Sequence, residues 1–228
     1  MSLGGWEFSA LSSQLDESVH NGEIPVDYVL RLARSKARAV LDILEKPASP
    51  DLLIVAADTT VVDTSGGENH GAENPGAGVE AASSKRAEIL GKPADAAEAE
   101  GMLRRLRGRV HQVYTAIVVL RPKDNDLRDQ LVVSYVQMRN YSDEELRRYI
   151  SSGDPLDKAG AYAIQNPIFR PVEGLSGCYA NVMGLPVCHL ARLLGKFGEG
   201  FDRNLPQACM DTLDNPCPIF RQALGLDE

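Results

Sequence analysis

Seven side chains in this sequence have types and settings suited to chemistry: Glu17, Lys36, Asp58, Lys92, Asp157, Lys158 and Gln165. They are carboxylates and lysines with one amide, and no serine or cysteine nucleophile motif accompanies them. Such a set suits a site that holds a polyphosphate on ammonium groups and a divalent cation, Mg2+ or Mn2+, on hard carboxylate oxygens, while water is activated to attack phosphorus. Acyl transfer, which needs an activated nucleophile, does not fit.

Asp58 must be delivered by a strand. DLLIVAADTTVV, residues 51–62, is an apolar run that ends in a carboxylate and two threonines. Without polar alternation it reads as a strand covered on both faces, as in an α/β sheet. An aspartate where such a strand leaves its cover can take a proton from water or bind metal, although a lone aspartate there more often only opens a turn. Lys36 falls in an amphipathic helix over residues 24–44, with Val29, Ala33, Ala37, Val40 and Leu44 at helical spacing. It borders the apolar face, where a lysine snorkelling from the core and a functional lysine fit equally well.

The remaining elements are set by pattern and punctuation. Residues 1–5 read as a bare start or expression remnant, and Trp6-Glu7-Phe8 as a short strand. Residues 63–84 are rich in Gly, Ser, Ala, Asn and Glu and predict a mobile surface insertion with His70 solvated. Asp95 to Glu98 opens a helix with a capping signature, and Ala99, Met102, Leu103 and Leu106 are its buried stripe. Residues 110–120 and 131–138 predict two antiparallel strands, with His111 a hydrogen-bonded strand histidine in preference to a catalytic one. Ser142 and Glu145 cap a short structural helix ending at Gly153, with Tyr141 and Leu146 as its staple. In DPLDKAGAYAIQN, residues 154–166, small residues permit close approach of backbone to a ligand. A last helix starts at Gly184-Leu185-Pro186, buried at Leu190, Leu193, Leu194 and Phe197, and the tail beyond Gly200 carries no clear pattern.

Composition narrows the classes. At 228 residues and 43% hydrophobic content the chain can bury a substantial core, and it reads as a single domain, 1–228, with a core over about 15–197 and an extension over 198–228. A net charge of −8 opposes general binding to nucleic acid or to an anionic membrane surface. Cys178, Cys188, Cys209 and Cys217 show no C-x-x-C spacing and suit reduced thiols in a cytoplasmic protein, with zinc a weaker alternative. No apolar run approaches the roughly 20 residues a membrane helix needs.

LDES, LARSKA, AADTTVV, LGKP, GRVHQVYTAIVVL, YISSGDPLDKAGAYAIQ and NVMGLP, in that order between Leu15 and Leu194, together resemble the Maf family of nucleotide pyrophosphatases. The resemblance implies the Maf or inosine-triphosphatase-like fold, an elongated mixed β-sheet flanked by helices with a nucleotide cleft between two lobes. It implies hydrolysis of nucleoside triphosphates to monophosphate and pyrophosphate. On the matching motifs, Asp58 would accept the proton and, with Glu17, serve the metal, while Lys36 and Lys92 would hold phosphates. The DKAGAYAIQ form resembles the dTTP and UTP branch, with Thr59 and Gln165 setting base choice and Asp157 and Lys158 beside the substrate; the branch acting on 7-methyl-GTP ranks second. A homodimer is left open. The family's opening strand and Ser-x-Ser-Pro-Arg-Arg loop have no counterpart here, because GWEFSALSSQLDES matches only the family segment downstream of that loop. Loss of the loop's arginine implies a rate penalty on the order of 10²–10³. A nucleotide-binding or cell-division regulator with little turnover is the rival reading.

Overall fold

The computed structural model describes residues 1–44, 49, 51–64 and 87–226. Five described strands form one sheet: β1 (Ile54–Asp63), β2 (Glu88–Leu90), β3 (Val110–Arg121), β4 (Asp126–Met138) and β5 (Val172–Ser176), in the order β2-β1-β3-β4-β5. Every pairing among them is antiparallel. The expected α/β architecture is therefore built on an antiparallel sheet. Burial of β1 on both faces comes from helices stacked against the two sides, without parallel crossovers.

Helix α1 (Pro25–Ile43) covers one face. Its Val29, Leu32, Ala33 and Ala37 pack with Ile54 and Val62 of β1 and Tyr114, Ala116 and Val118 of β3, the even-numbered side of both strands. Pro25 at the first turn supplies a preset φ where the missing N–H is not needed. The other face carries Val61, Val113, Val136 and Met138 under α2 (Ala96–Leu106) and α3 (Asp143–Ser151). Toward the opposite end of that face, Ile117, Val119 and Val132 meet Leu190, Leu193 and Leu194 of α5 (Val187–Gly195). Between them lies the single turn α4 (Tyr179–Val182).

Both predicted helix starts carry their caps. Asp95 accepts from the Glu98 N–H at 2.8 Å, and Ser142 and Glu145 form a reciprocal capping box with Tyr141 and Leu146 buried together below it. His111 is fully buried on β3 with Nε2 2.8 Å from the Tyr162 hydroxyl, the predicted structural role, and burial pushes it down to about 4.

Three expectations at the edges need correction. Residues 6–8 are not a strand. The start is not bare either: Ser2–Gly4 forms a 3-10 turn, Trp6 Nε1 donates to Gly200 O at 2.8 Å and Asp202 N donates to Gly4 O at 3.0 Å. What orders these small residues is burial against the C-terminal part, where α6 (Leu205–Leu213) and α7 (Phe220–Leu224) continue regular structure past Gly200. The predicted insertion begins too early at Asp63, which closes β1, is 3% exposed and is ion-paired with Arg105. Residues 65–84 of the insertion, with His70, lie outside the described residues. Cys178, Cys188 and Cys209 are buried free thiols among apolar neighbours and Cys217 is half-buried. No group of three or more His, Cys, Asp or Glu among the described residues is arranged to hold a metal, zinc included.

Candidate active site

The eight side chains picked out in the sequence, Thr59 included, line one cleft of about 290 Å³. The cleft lies at the outer edge of β1. Strand β2 pairs only with Val61, Val62 and Asp63, so residues 54–60 have β3 on one side and, among the described residues, no strand on the other.

Asp58 sits on the α1 face of β1, 8% exposed, and its carboxylate receives the Lys36 ammonium at 2.5 Å. Lys36 reaches it from the fourth turn of α1 and also meets Glu17 at 2.8 Å, while Lys92 meets the other Glu17 oxygen at 3.3 Å. The four groups form a chain of alternating charge, Asp58, Lys36, Glu17, Lys92, running from the sheet to solvent. Glu17 is on a coil, and α1 fixes it there. Tyr28 donates its hydroxyl to Glu17 O at 2.9 Å, and Arg31 donates to Ser18 O at 3.0 Å while paired with Glu23 at 2.6 Å. Lys92 comes after β2 in a loop tied to the far wall of the cleft by the Gly160 N–H donating to Gly91 O at 3.0 Å.

Electrostatics sort these groups. Burial pushes the Asp58 carboxyl above the usual aspartate range, with the Lys36 hydrogen bond and charge pulling the other way. The hydrogen bond from Lys36 leads in holding Glu17 below the glutamate range. Burial opposes the Lys36 charge, but the hydrogen bonds to Asp58 and Glu17 outweigh it and raise its affinity for the proton. The arrangement is thus a buried carboxylate with elevated basicity whose ionised form is held by one ammonium.

The far wall is segment 157–165 with Met183 and Gly184. Lys158 is folded back on its own turn, 2.6 Å from Asp157 and 2.8 Å from Asp154 O. Gly160 has φ +68, and a Cβ there would stand 2.8 Å from Val61 Cγ2, so this turn can approach the strand only as glycine. Gln165 is exposed at the rim. Thr59, next to Asp58, points to the opposite sheet face, where its Oγ1 lies 2.8 Å from Thr115 Oγ1. Sequence reasoning did not single out Thr115, Tyr28 or Thr60, whose buried Oγ1 has no hydrogen-bond partner among the described residues. The signal for the first was its cross-strand register with Thr59, readable only once β1 and β3 are paired.

A profile described as Maf-like protein matches residues 1–197. The chain is 39% identical over 194 residues to the dTTP/UTP pyrophosphatase of Hahella chejuensis, covering 85% of this chain and 84% of the relative. It is 37% identical over 194 residues to the dTTP/UTP pyrophosphatase of Pelotomaculum thermopropionicum, covering 85% and 87%. The enzyme of that name from Geotalea uraniireducens is 36% identical over 198 residues, covering 87% and 88%. With the family profile spanning its sheet and cleft, and relatives alike over nearly their whole lengths, the chain belongs to the Maf family.

Proposed function

We propose that this protein is a nucleoside triphosphate pyrophosphatase acting on dTTP and UTP. The observation that carries the reading is the Asp58, Lys36, Glu17, Lys92 charge chain sharing one cleft with Thr59 and Gln165. Two ammonium groups on one side of β1 suit a triphosphate, and a buried carboxylate beside them suits activation of water. Asp58 accepts a proton from water as the oxygen attacks the α-phosphorus. The bond from that phosphorus to the bridging oxygen breaks, releasing pyrophosphate and leaving the monophosphate. Lys36 and Lys92 offset the charge that spreads onto the leaving group, and Lys36 also keeps Asp58 ionised. Asp157 and Lys158 border the substrate on the far wall.

A divalent cation, Mg2+ or Mn2+, fits the donor set. Glu17 and Asp58 already flank a cation, the Lys36 ammonium, at 2.8 and 2.5 Å, and two carboxylates completed by substrate phosphates are a usual Mg2+ arrangement. When bound, the metal would neutralise phosphate charge and orient it. The test is product analysis across dTTP, UTP, CTP, dATP, dGTP and 7-methyl-GTP with Mg2+ or Mn2+. Pyrophosphate and monophosphate from dTTP and UTP are expected; release of orthophosphate, or of nothing, would overturn the assignment.

A further inference from the structure

The Thr59 hydroxyl reaches the cleft with its hydrogen-bond polarity already set. Strands β1 and β3 place Thr59 opposite Thr115, and the two Oγ1 atoms lie 2.8 Å apart. Two hydroxyls alone could share a proton either way. Here a third group decides: Thr115 Oγ1 is also 2.9 Å from the backbone carbonyl oxygen of Asn181, which has no proton to give, so Thr115 must be the donor. Thr115 has one proton and spends it there. Thr59 must therefore donate to Thr115, and only lone pairs remain on its oxygen for whatever occupies the cleft.

The relay is anchored and dry. Thr115 and Asn181 are both fully buried, so water offers neither an alternative partner. Asn181 is held by its Nδ2 donating to Val113 O at 3.1 Å and to Ser134 Oγ at 3.0 Å, and its carbonyl also accepts from the Gly184 N–H at 3.0 Å. Gly184 has φ +103, and a Cβ there would stand 3.4 Å from Thr59 Oγ1. The glycine keeps the approach to that oxygen open.

We propose that Thr115 is a positioning residue for base selection: by committing its proton to Asn181 O it makes Thr59 Oγ1 an obligate acceptor, matched to a ring N–H on the bound base. Uracil and thymine carry N–H at ring position 3, whereas cytosine presents a lone pair there and meets acceptor with acceptor. Gln165 cannot make this distinction alone, because an exposed amide can turn to offer either its oxygen or its NH2. This inference rests on the proposed pyrophosphatase reading and names what that site rejects.

The experiment compares kcat/KM for dTTP and dCTP in the parent, Thr115→Val, Thr115→Ser and Thr59→Val, with melting temperatures for each. The parent should favour dTTP. Thr115→Val frees the Thr59 proton and should lower the dTTP-to-dCTP ratio by about tenfold, the scale of one hydrogen bond gained or lost. Thr115→Ser, which restores the donor, should restore the ratio. Thr59→Val, at a half-exposed position, should lower it as well, and an unchanged ratio there overturns the proposal even if Thr115→Val fails to fold. A purely structural Thr115 would lower both rates together and leave the ratio intact, which also overturns it. If the parent hydrolyses neither nucleotide, the pyrophosphatase reading falls instead.

Discussion

Lys36→Met is the substitution that most directly tests the charge chain. The ammonium lies 2.5 Å from Asp58 and 2.8 Å from Glu17, with 23% of its side chain exposed against 8% for Asp58. Two unit charges about 4 Å apart interact by about 4 kcal/mol at an effective dielectric near 20. Partial exposure of Lys36 and the remaining Lys92 reduce that, so we take roughly 1.5–3 kcal/mol as the loss felt by the Asp58 carboxylate. At 1.36 kcal/mol per pH unit, the acid limb of kcat/KM should move upward by more than about one unit. The sign comes from Asp58: burial already favours its protonated form, and removing the ammonium favours it further, so the ionised base appears only at higher pH. Because the same ammonium is also a lost donor to the leaving group, activity at neutral pH should fall on the order of 10², and Lys36→Arg should keep the limb near its parental position. Stability carries the same sign, because a carboxyl with a raised folded-state value contributes stability below that value and loses it as pH rises through it. Lys36→Met should thus melt higher in acid relative to neutral pH than the parent does. Rate profiles from pyrophosphate release, with melting scans at each pH, read both effects. An unmoved acid limb with only a raised KM would show that Lys36 binds phosphate and does nothing to Asp58.

Asp58→Asn should reduce turnover at least ~10²-fold while the melting temperature holds or rises, since the amide keeps the shape without the cost of a buried charge; parental activity would remove Asp58 from the mechanism. Glu17→Gln should raise the Mg2+ concentration giving half-maximal rate by roughly tenfold, as one of two carboxylates is lost; an unchanged metal dependence would place the cation elsewhere. Gly160→Ala adds a Cβ 2.8 Å from Val61 Cγ2 at φ +68, costing about 2–3 kcal/mol. Its melting temperature should drop by roughly 5–10 °C, and a smaller shift than about 2 °C would mean that the turn simply moves away.

Much of this was legible in local pattern. The α1 stripe, the Asp95 and Ser142 caps and the β3–β4 pair arise from periodicity and end chemistry that act within a few residues. The site residues were legible as types, and their convergence emerged once seven motifs were read in order. What sequence could not supply lies in long-range packing. Gly4 and Trp6 are ordered by hydrogen bonds near residue 200 and by packing of Trp6 against β3 and α5, and Asp63, at the end of β1, is held by Arg105, 42 positions on. Strand β5 escaped detection because its five residues, VEGLS, mix charge and glycine and take their register from β4.

On the proposed assignment, the period of two along β1 lets neighbouring residues serve different ends of one ligand. Asp58 and Thr59 are adjacent in sequence, so their side chains leave opposite faces of the sheet. In an interior strand that would put them in separate compartments. Here residues 54–60 have no strand outside them among the described residues, so a ligand lying along that edge can reach both faces at once. On the α1 side it meets the Asp58, Lys36, Glu17, Lys92 chain, and on the other it meets Thr59, held by Thr115 and Asn181. On the proposed assignment, phosphate chemistry and base choice are separated by the thickness of one strand. Substitutions on the two sides should then act independently: combining Thr59→Val with Lys36→Arg should change base ratio and rate by the sum of the single effects, as for residues without shared partners. Strong coupling between them would mean that the two faces do not form separate subsites.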